Sequence, residues 1–277
     1  MMWNSHKADS LIRSLEAVIR DPIRASGAGK LRVGIDLGTS YTVLVVLDET
    51  CRPLACVFEY SEVIKDGLVV DYIGCCDIVR RLKAEAERSI GREILNAAIA
   101  VPPGTSFADA STHRHVVESA GITVTDVFDE PTAANAVLEI CDGAVVDVGG
   151  GTTGISVFKD GKVVYVNDEA TGGNHMTLVI AGNQGISFES AEKYKKDAFN
   201  SEKVFTVIVP VIEKIATIVE RHINNFDIDL LCLVGGTACI GGIESLIEQI
   251  TGVHTVKPEN PFLVTPLGIA MMMGLRQ

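Results

Sequence analysis

Two stretches decide the reading of this chain: Val33-Gly34-Ile35-Asp36-Leu37-Gly38-Thr39 and Val145-Val146-Asp147-Val148-Gly149-Gly150. Each is an apolar strand with a carboxylate inside it, one more apolar residue, then a turn of glycine and hydroxyl-bearing residues. A single offset of 111 positions lays Asp36 on Asp147 and Gly38 on Gly149. Two unrelated turns would explain the glycines and threonines, which are ordinary turn residues. They would not explain an Asp within each β-branched run, where an ionised carboxylate is costly unless paired or beside a cation. The pattern is read as an internal duplication carrying two facing acidic hairpins.

Outward from the first turn, residues 31–37 and 42–48 form its hairpin, with a third strand at 53–59. Helix 76–90, strand 97–101, helix 109–120, strand 122–128 and helix 131–140 follow. Strand 143–148 opens the second hairpin, continued at 154–159 and 162–169. Helices are then expected at 173–181, 188–198 and 206–224, a strand at 230–234, and helices at 241–250 and 262–274. The domain plan is an N-terminal helix and linker over 1–29, a first half-domain over 30–141 and a second over 142–277, with helix 262–274 packing back at the hinge.

Ahead of this repeat, Leu11, Ile12, Leu15, Val18, Ile19 and Ile23 recur at three- and four-residue steps, one apolar helical face. Pro22 is expected to end that helix, and residues 25–29 read as a flexible tether. Three destinations fit it: its own domain, a partner protein, or a membrane surface. Gly27 to Lys30 is not a Walker loop, since no Gly lies five positions before Gly29 and Leu31 follows the lysine.

Composition bounds the function. A chain of 277 residues, 47% hydrophobic but only 5% aromatic, with 26 glycines, suits an aliphatic α/β protein with tight turns. A net charge of -12 and a pI near 4.9 argue against general attraction to nucleic acid. Seven cysteines, an odd number without a CxxC pair and partly in apolar runs, read as free thiols of a reducing cytosol. His113 and His115 stand two apart in a helix and are expected on its solvated surface. No run reaches the ~18 apolar residues of a membrane span, and early charges break any signal-peptide core, so a cytoplasmic protein is expected, with membrane association disfavoured.

The turns supply the chemistry. Glycines let backbone amides converge on one anionic oxygen, and Thr and Ser hydroxyls add donors. Gly38-Thr39-Ser40 would hold one end of a polyphosphate and Gly149-Gly150-Gly151-Thr152 the other. Asp36 and Asp147 would then sit near a magnesium ion, which prefers oxygen ligands and retains waters that carboxylates can hold.

The segment Gly34-Ile35-Asp36-Leu37-Gly38-Thr39-Ser40-Tyr41-Thr42 resembles the first phosphate loop of the actin and DnaK-type chaperone superfamily, and residues 147–153 resemble the second. Glu130-Pro131-Thr132-Ala133-Ala134, Leu233-Val234-Gly235-Gly236-Thr237 and Pro266-Leu267-Gly268-Ile269-Ala270 are similar to its first connecting helix, adenosine motif and second connecting helix. Five motifs in the right order cover nearly all the globular chain. Val63-Ile64-Lys65-Asp66-Gly67, Pro102-Pro103-Gly104-Thr105, Asp168-Glu169-Ala170-Thr171-Gly172-Gly173 and Glu220-Arg221-His222-Ile223 further resemble the chaperone-like branch encoded with ethanolamine-utilisation microcompartments.

The resemblance implies a duplicated ribonuclease-H-like α/β fold of the actin and DnaK-type ATPases: two half-domains around a nucleotide cleft, with reduced outer subdomains. It implies ATP and Mg²⁺ as cofactors. Asp36 and Asp147 would organise the metal, and Gly38, Thr39, Ser40 and Tyr41 with Gly149, Gly150, Gly151 and Thr152 would hold phosphates. Gly172 and Gly173 would admit ribose and phosphates, and Glu130, with Asp147, would orient the attacking water. Lys65 would neutralise the γ-phosphate or stand as a solvated turn lysine. Glu192, Lys195 and Lys196 would touch ribose and adenine or form a surface ion pair, with Gly235, Gly236 and Thr237 on the adenine's far side.

The short segments at 60–75 and 197–205 leave little room for outer subdomains, which argues against an actin-like filament, and a complete DnaK-type chaperone acting alone is not expected. The expected function is a weakly hydrolysing, chaperone-like switch assisting assembly or reactivation of microcompartment enzymes. Its partner would be such an enzyme or a shell component, reached through the N-terminal helix by analogy with cargo tags. The alternatives are a small-molecule kinase of the same superfamily and a membrane-associated actin-like adaptor.

Overall fold

The computed structural model describes residues 5–27, 29–65, 67–197 and 201–274 and opens with helix α1 (Ser5–Arg20). By contacts among its residues the chain divides into two units. One runs to Glu139 and takes up the segment from Leu263 onward; the other spans Ile140–Phe262.

In the first unit, β1 (Arg32–Leu37), β2 (Tyr41–Leu47) and β3 (Pro53–Tyr60) form an antiparallel meander. A small hairpin, β4 (Ile64–Lys65) with β5 (Leu68–Val69), leads into α2 (Tyr72–Ile90). The side chain of Asp71 caps this helix by accepting from the Gly74 amide, and Gly91 ends it with a left-handed φ of 73°. Then come β6 (Asn96–Val101), α3 (Phe107–Glu118), β7 (Thr123–Asp129) and α4 (Glu130–Leu138). The sheet order is β3-β2-β1-β6-β7, with β1, β6 and β7 parallel.

The second unit repeats the plan. β8 (Gly143–Val148), β9 (Thr153–Lys159) and β10 (Lys162–Glu169) form its meander. α5 (Gly173–Gln184), α6 (Phe188–Asp197), α7 (Glu202–Ile223), β11 (Leu230–Val234), α8 (Ile243–Thr251) and β12 (His254–Val256) complete it. The sheet order is β10-β9-β8-β11-β12, the same connectivity strand for strand. Even the register repeats: Asp36 faces Val43 and Asp147 faces Gly154, one offset apart.

The last helix, α9 (Val264–Met272), expected to pack back from the end of the second half-domain, packs in the first unit against β1 and α4 and is counted with that unit. Glycines permit this crossing. A Cβ on Gly268 would lie 1.9 Å from the Ala133 carbonyl oxygen, and one on Gly34 would lie 2.5 Å from the Ala270 nitrogen.

Of its three possible destinations, α1 takes the first. Ile12, Leu15 and Val18 are buried, and the helix lies on β3 and touches α4 and α9. The chain is fastened to the fold where the supposed tether begins: the Ile23 amide donates to the Leu54 carbonyl at 2.8 Å and the Ala25 amide to Ile90 at 2.8 Å. The surface expectation for His113 is also corrected. Its side chain is 1% exposed, Nδ1 bonds the Asp109 carbonyl at 2.9 Å, and burial lowers its pKa. His115 stays on the surface as expected. Burial likewise pushes the Cys56 thiol up to about 12.

Candidate functional site

In each sheet the three parallel strands end at one edge, where loops rather than strands carry chemistry. Asp36 lies next to the end of β1 and Glu130 follows the end of β7, so the first turn and Glu130 share that edge of the first unit. The turn is closed by the Gly38 amide donating to the Tyr41 carbonyl at 3.0 Å. The Ser61 amide donates to Ser40 at 3.1 Å, fixing the turn to the end of β3. Asp36, Thr39, Ser40 and Glu130 are all half-buried. Tyr41 turns its ring into an aromatic group, 5.9 Å from Phe58 and 5.5 Å from Tyr60 between centroids. Asp129 caps α4 by accepting from the Thr132 amide at 2.9 Å, and Pro131 occupies the first turn, so Glu130 is held at a helix start. Lys65 is exposed on β4.

The second unit gathers more of the expected residues. Its turn closes the same way, with the Gly149 amide donating to Thr152 at 3.0 Å. Asp147 pairs in register with Val234, and its side chain packs against Gly235, where a Cβ would stand 2.3 Å from Oδ1. That carboxylate is only 7% exposed. Gly235 also has φ +89°, which favours glycine independently of the contact. Thr237 Oγ1 donates to the Gly149 carbonyl at 2.8 Å. The Gly173 amide donates to the same carbonyl at 3.0 Å, and the Asn174 amide to Gly150 at 2.7 Å.

These bonds set the direction of the turn. None of the described peptide bonds is cis, and in a trans peptide the carbonyl and the following N–H point opposite ways. Pinning the Gly149 and Gly150 carbonyls toward α5 therefore turns the Gly150 and Gly151 amides away from it. Two successive amides so presented suit an anionic oxygen. The fit to a phosphate chain thus rests on backbone geometry, with Asp147 beside it for a hydrated cation.

Close packing already demands glycine at 172 and 173. A Cβ on Gly172 would lie 2.6 Å from the Gly149 oxygen, and one on Gly173 would lie 2.4 Å from Thr237 Oγ1. Their bareness lets α5 begin flush against the turn.

Glu192 and Lys195 are no surface pair. Both are buried and their charged atoms stand 2.7 Å apart. Burial pushes the Glu192 carboxyl up, but the Lys195 charge and hydrogen bonds from Lys195 and Thr177 outweigh it and hold the group below its ordinary range. Burial lowers the Lys195 ammonium against the pull of Glu192. Lys196, half-buried, lies 3.4 Å from Glu192 Oε1. Gly236 is exposed, with a Cβ position 3.6 Å from the Phe262 ring.

Sequence reasoning missed Thr177, which is fully buried and bonded to both members of the pair. It missed Asn174 too. Neither stands in a motif, and their roles arise from the approach of α6 and of the glycine turn.

The model of the family described as type IV pilus assembly protein PilM matches residues 111–269. Ethanolamine utilization protein EutJ of Escherichia coli (strain K12) is 42% identical over 247 residues, covering 89% of this chain and 87% of that protein. The crystal structure of EutJ from Carboxydothermus hydrogenoformans is 44% identical with a TM-score of 0.90, covering 97% of this chain and 99% of that one. The chaperone protein dnaK of Thalassiosira pseudonana is 26% identical over 263 residues, covering 72% of this chain and 43% of that protein. MreB5 of Spiroplasma citri bound to ADP shares the fold at a TM-score of 0.72 and 15% identity, covering 89% of this chain and 97% of that one. No helix among the described residues is long and apolar enough to cross a membrane. With a duplicated α/β plan, an acidic turn in each unit and EutJ relatives alike over nearly their whole length, the chain belongs to the EutJ family of ethanolamine utilization proteins, within the actin and DnaK-type ATPase superfamily.

Proposed function

We propose that the chain binds ATP with Mg²⁺ through its two acidic turns, hydrolyses it slowly, and works as a chaperone-like switch in ethanolamine utilisation. In this reading it acts in the cytoplasm, on the assembly or reactivation of microcompartment enzymes. The observation that carries the nucleotide part is the second turn, with Gly150 and Gly151 amides directed away from pinned carbonyls, above a buried Asp147. The client assignment is supported by the family to which the chain belongs.

The residues divide the work. Asp36 and Asp147 hold waters of the metal, which when bound neutralises phosphate charge. Thr39, Ser40 and Thr152 offer hydroxyls beside the turn amides. Glu130, at the start of α4, accepts a proton from the attacking water and orients it. Lys65 meets the terminal phosphate, while Lys196, Gly235 and Gly236 border the nucleoside. Such positioning and charge neutralisation is what phosphoryl transfer requires.

The protein partner would meet a surface other than α1, whose apolar face is already covered by its own unit. Calorimetric titration with ATP, ADP and GTP, each with and without Mg²⁺, tests the reading. Saturable heat with ATP that depends on Mg²⁺ is expected; no heat with any nucleotide would overturn it.

A further inference from the structure

We infer that β10 is the contact through which two copies of this chain pair, antiparallel and edge to edge, about a two-fold axis at Tyr165. The inference is independent of what the glycine turns bind.

The duplication supplies a covered copy of the same edge. β10 ends its sheet as β3 ends the other. Thr42 faces Glu59 and Thr153 faces Glu169, so β10 lies on β3 with Val166 at the place of Cys56 and Val164 at the place of Leu54. Even the bulge recurs, since Leu54 and Val164 are the residues that each ladder skips. In the first unit this edge is in use. The Leu54 carbonyl accepts the Ile23 amide, α1 lies on the strand, and Leu54 and Cys56 are 4% and 2% exposed. In the second unit Val164 and Val166 are 51% and 40% exposed, with Val163 open beside them. A long apolar edge left bare is a template for another strand.

The backbone of that edge is set for pairing. The Gly149 amide bonds the Thr152 carbonyl, so alternation along the ladder turns the peptide groups of Thr153, Ile155 and Val157 toward β10. These engage Glu169, Asn167 and Tyr165, and the amides and carbonyls of Val166 and Asp168 point to the outer side.

The charges of β10 select its partner. Lys162 opens the strand and Asp168 stands near its far end, around an apolar centre. Glu169 is already held within the unit by Arg221 and His222. A second β10 turned antiparallel about Tyr165 sets Lys162 against Asp168 at both ends and Val164 against Val166 between them. The strand is complementary to itself in charge, and both copies carry the same bulge and so the same added twist. Such a contact is isologous and closes at two copies. One strand pair buries less than an interface of standard size, so the dimer should be weak and dependent on concentration.

Sedimentation equilibrium of the full chain, over a wide range of concentration, tests this. The average mass should rise toward that of two copies. Lys162→Glu or Asp168→Lys alone should weaken association about tenfold or more, because each sets like charges together at both ends. Both changes on one chain should restore it, and the two single variants, mixed, should pair with each other. Val166→Pro removes an amide on the outer side and should abolish pairing with the urea midpoint nearly unchanged. If that variant is destabilised, the charge exchange decides by itself. A parent that stays monomeric throughout would overturn the inference and leave the edge to an extended segment of a different protein. A dimer indifferent to both single charge changes would overturn it by placing the contact elsewhere, and so would failure of the doubly exchanged chain to pair.

Discussion

The two acidic hairpins share strand order, register and the closing bond of the turn, yet they are supported differently. The second is all glycine through three positions, with its carbonyls held by α5 and Thr237 and its carboxylate sunk against Gly235. The first carries Thr39 and Ser40 in a half-buried turn beside the aromatic side chains of Tyr41, Phe58 and Tyr60. Duplication preserved the backbone and let the lining of the turn diverge. One turn presents fixed amides, the other hydroxyls that rotate to suit. The units differ in covering as well, because α1 lies over β3 of the first sheet and the described residues of the second unit contain no counterpart to it.

The largest expected effect tests that covering. Leu15 is fully buried on the inner face of α1, so Leu15→Ala should cost about 2–5 kcal/mol of stability, read as a lowered urea midpoint. An unchanged midpoint would mean that α1 contributes little to the first unit in solution. Next, Asp36→Asn and Asp147→Asn should each weaken Mg-ATP binding or turnover by about tenfold or more, the second more strongly because its carboxylate is the more buried. Equal losses would argue that burial is irrelevant to how the turns work; no loss at either would remove the metal-organising role. Smallest in binding, Glu130→Gln should leave ATP affinity alone and slow hydrolysis by about a hundredfold. Normal turnover in that variant would leave the first unit without an assigned base.

Much of the fold was legible because its signals are local and repeated. Strand 143–148 is readable at both ends from its β-branched run, and the repeated Asp-x-Gly spacing marks the duplication in the sequence itself. The strand of three residues at 254–256 and the hairpin of two-residue strands at 64–69 were missed, being too short to show a period. His113 was misplaced because its position relative to His115 says only that the two diverge, not which one turns inward.

At the candidate site, motif residues were readable and their supports were not. Glu192 and Lys195 stand three apart on a polar-looking helix, and nothing in that spacing distinguishes a solvated pair from one buried over Thr177. Likewise, the close packing of Gly172 against the turn and of Gly173 against Thr237 has no signature in the sequence around them. Tertiary neighbours decide such cases, and one chain's sequence does not name them.

The two backbone bonds that follow α1, from Ile23 to Leu54 and from Ala25 to Ile90, carry a practical consequence. A cut engineered just beyond them would interrupt the covalent chain while both fragments kept their mutual grip. The segment from Ser5 to Ala25 is thus one that can be split off as a complementing piece, and a poor choice of arm with which to reach another molecule.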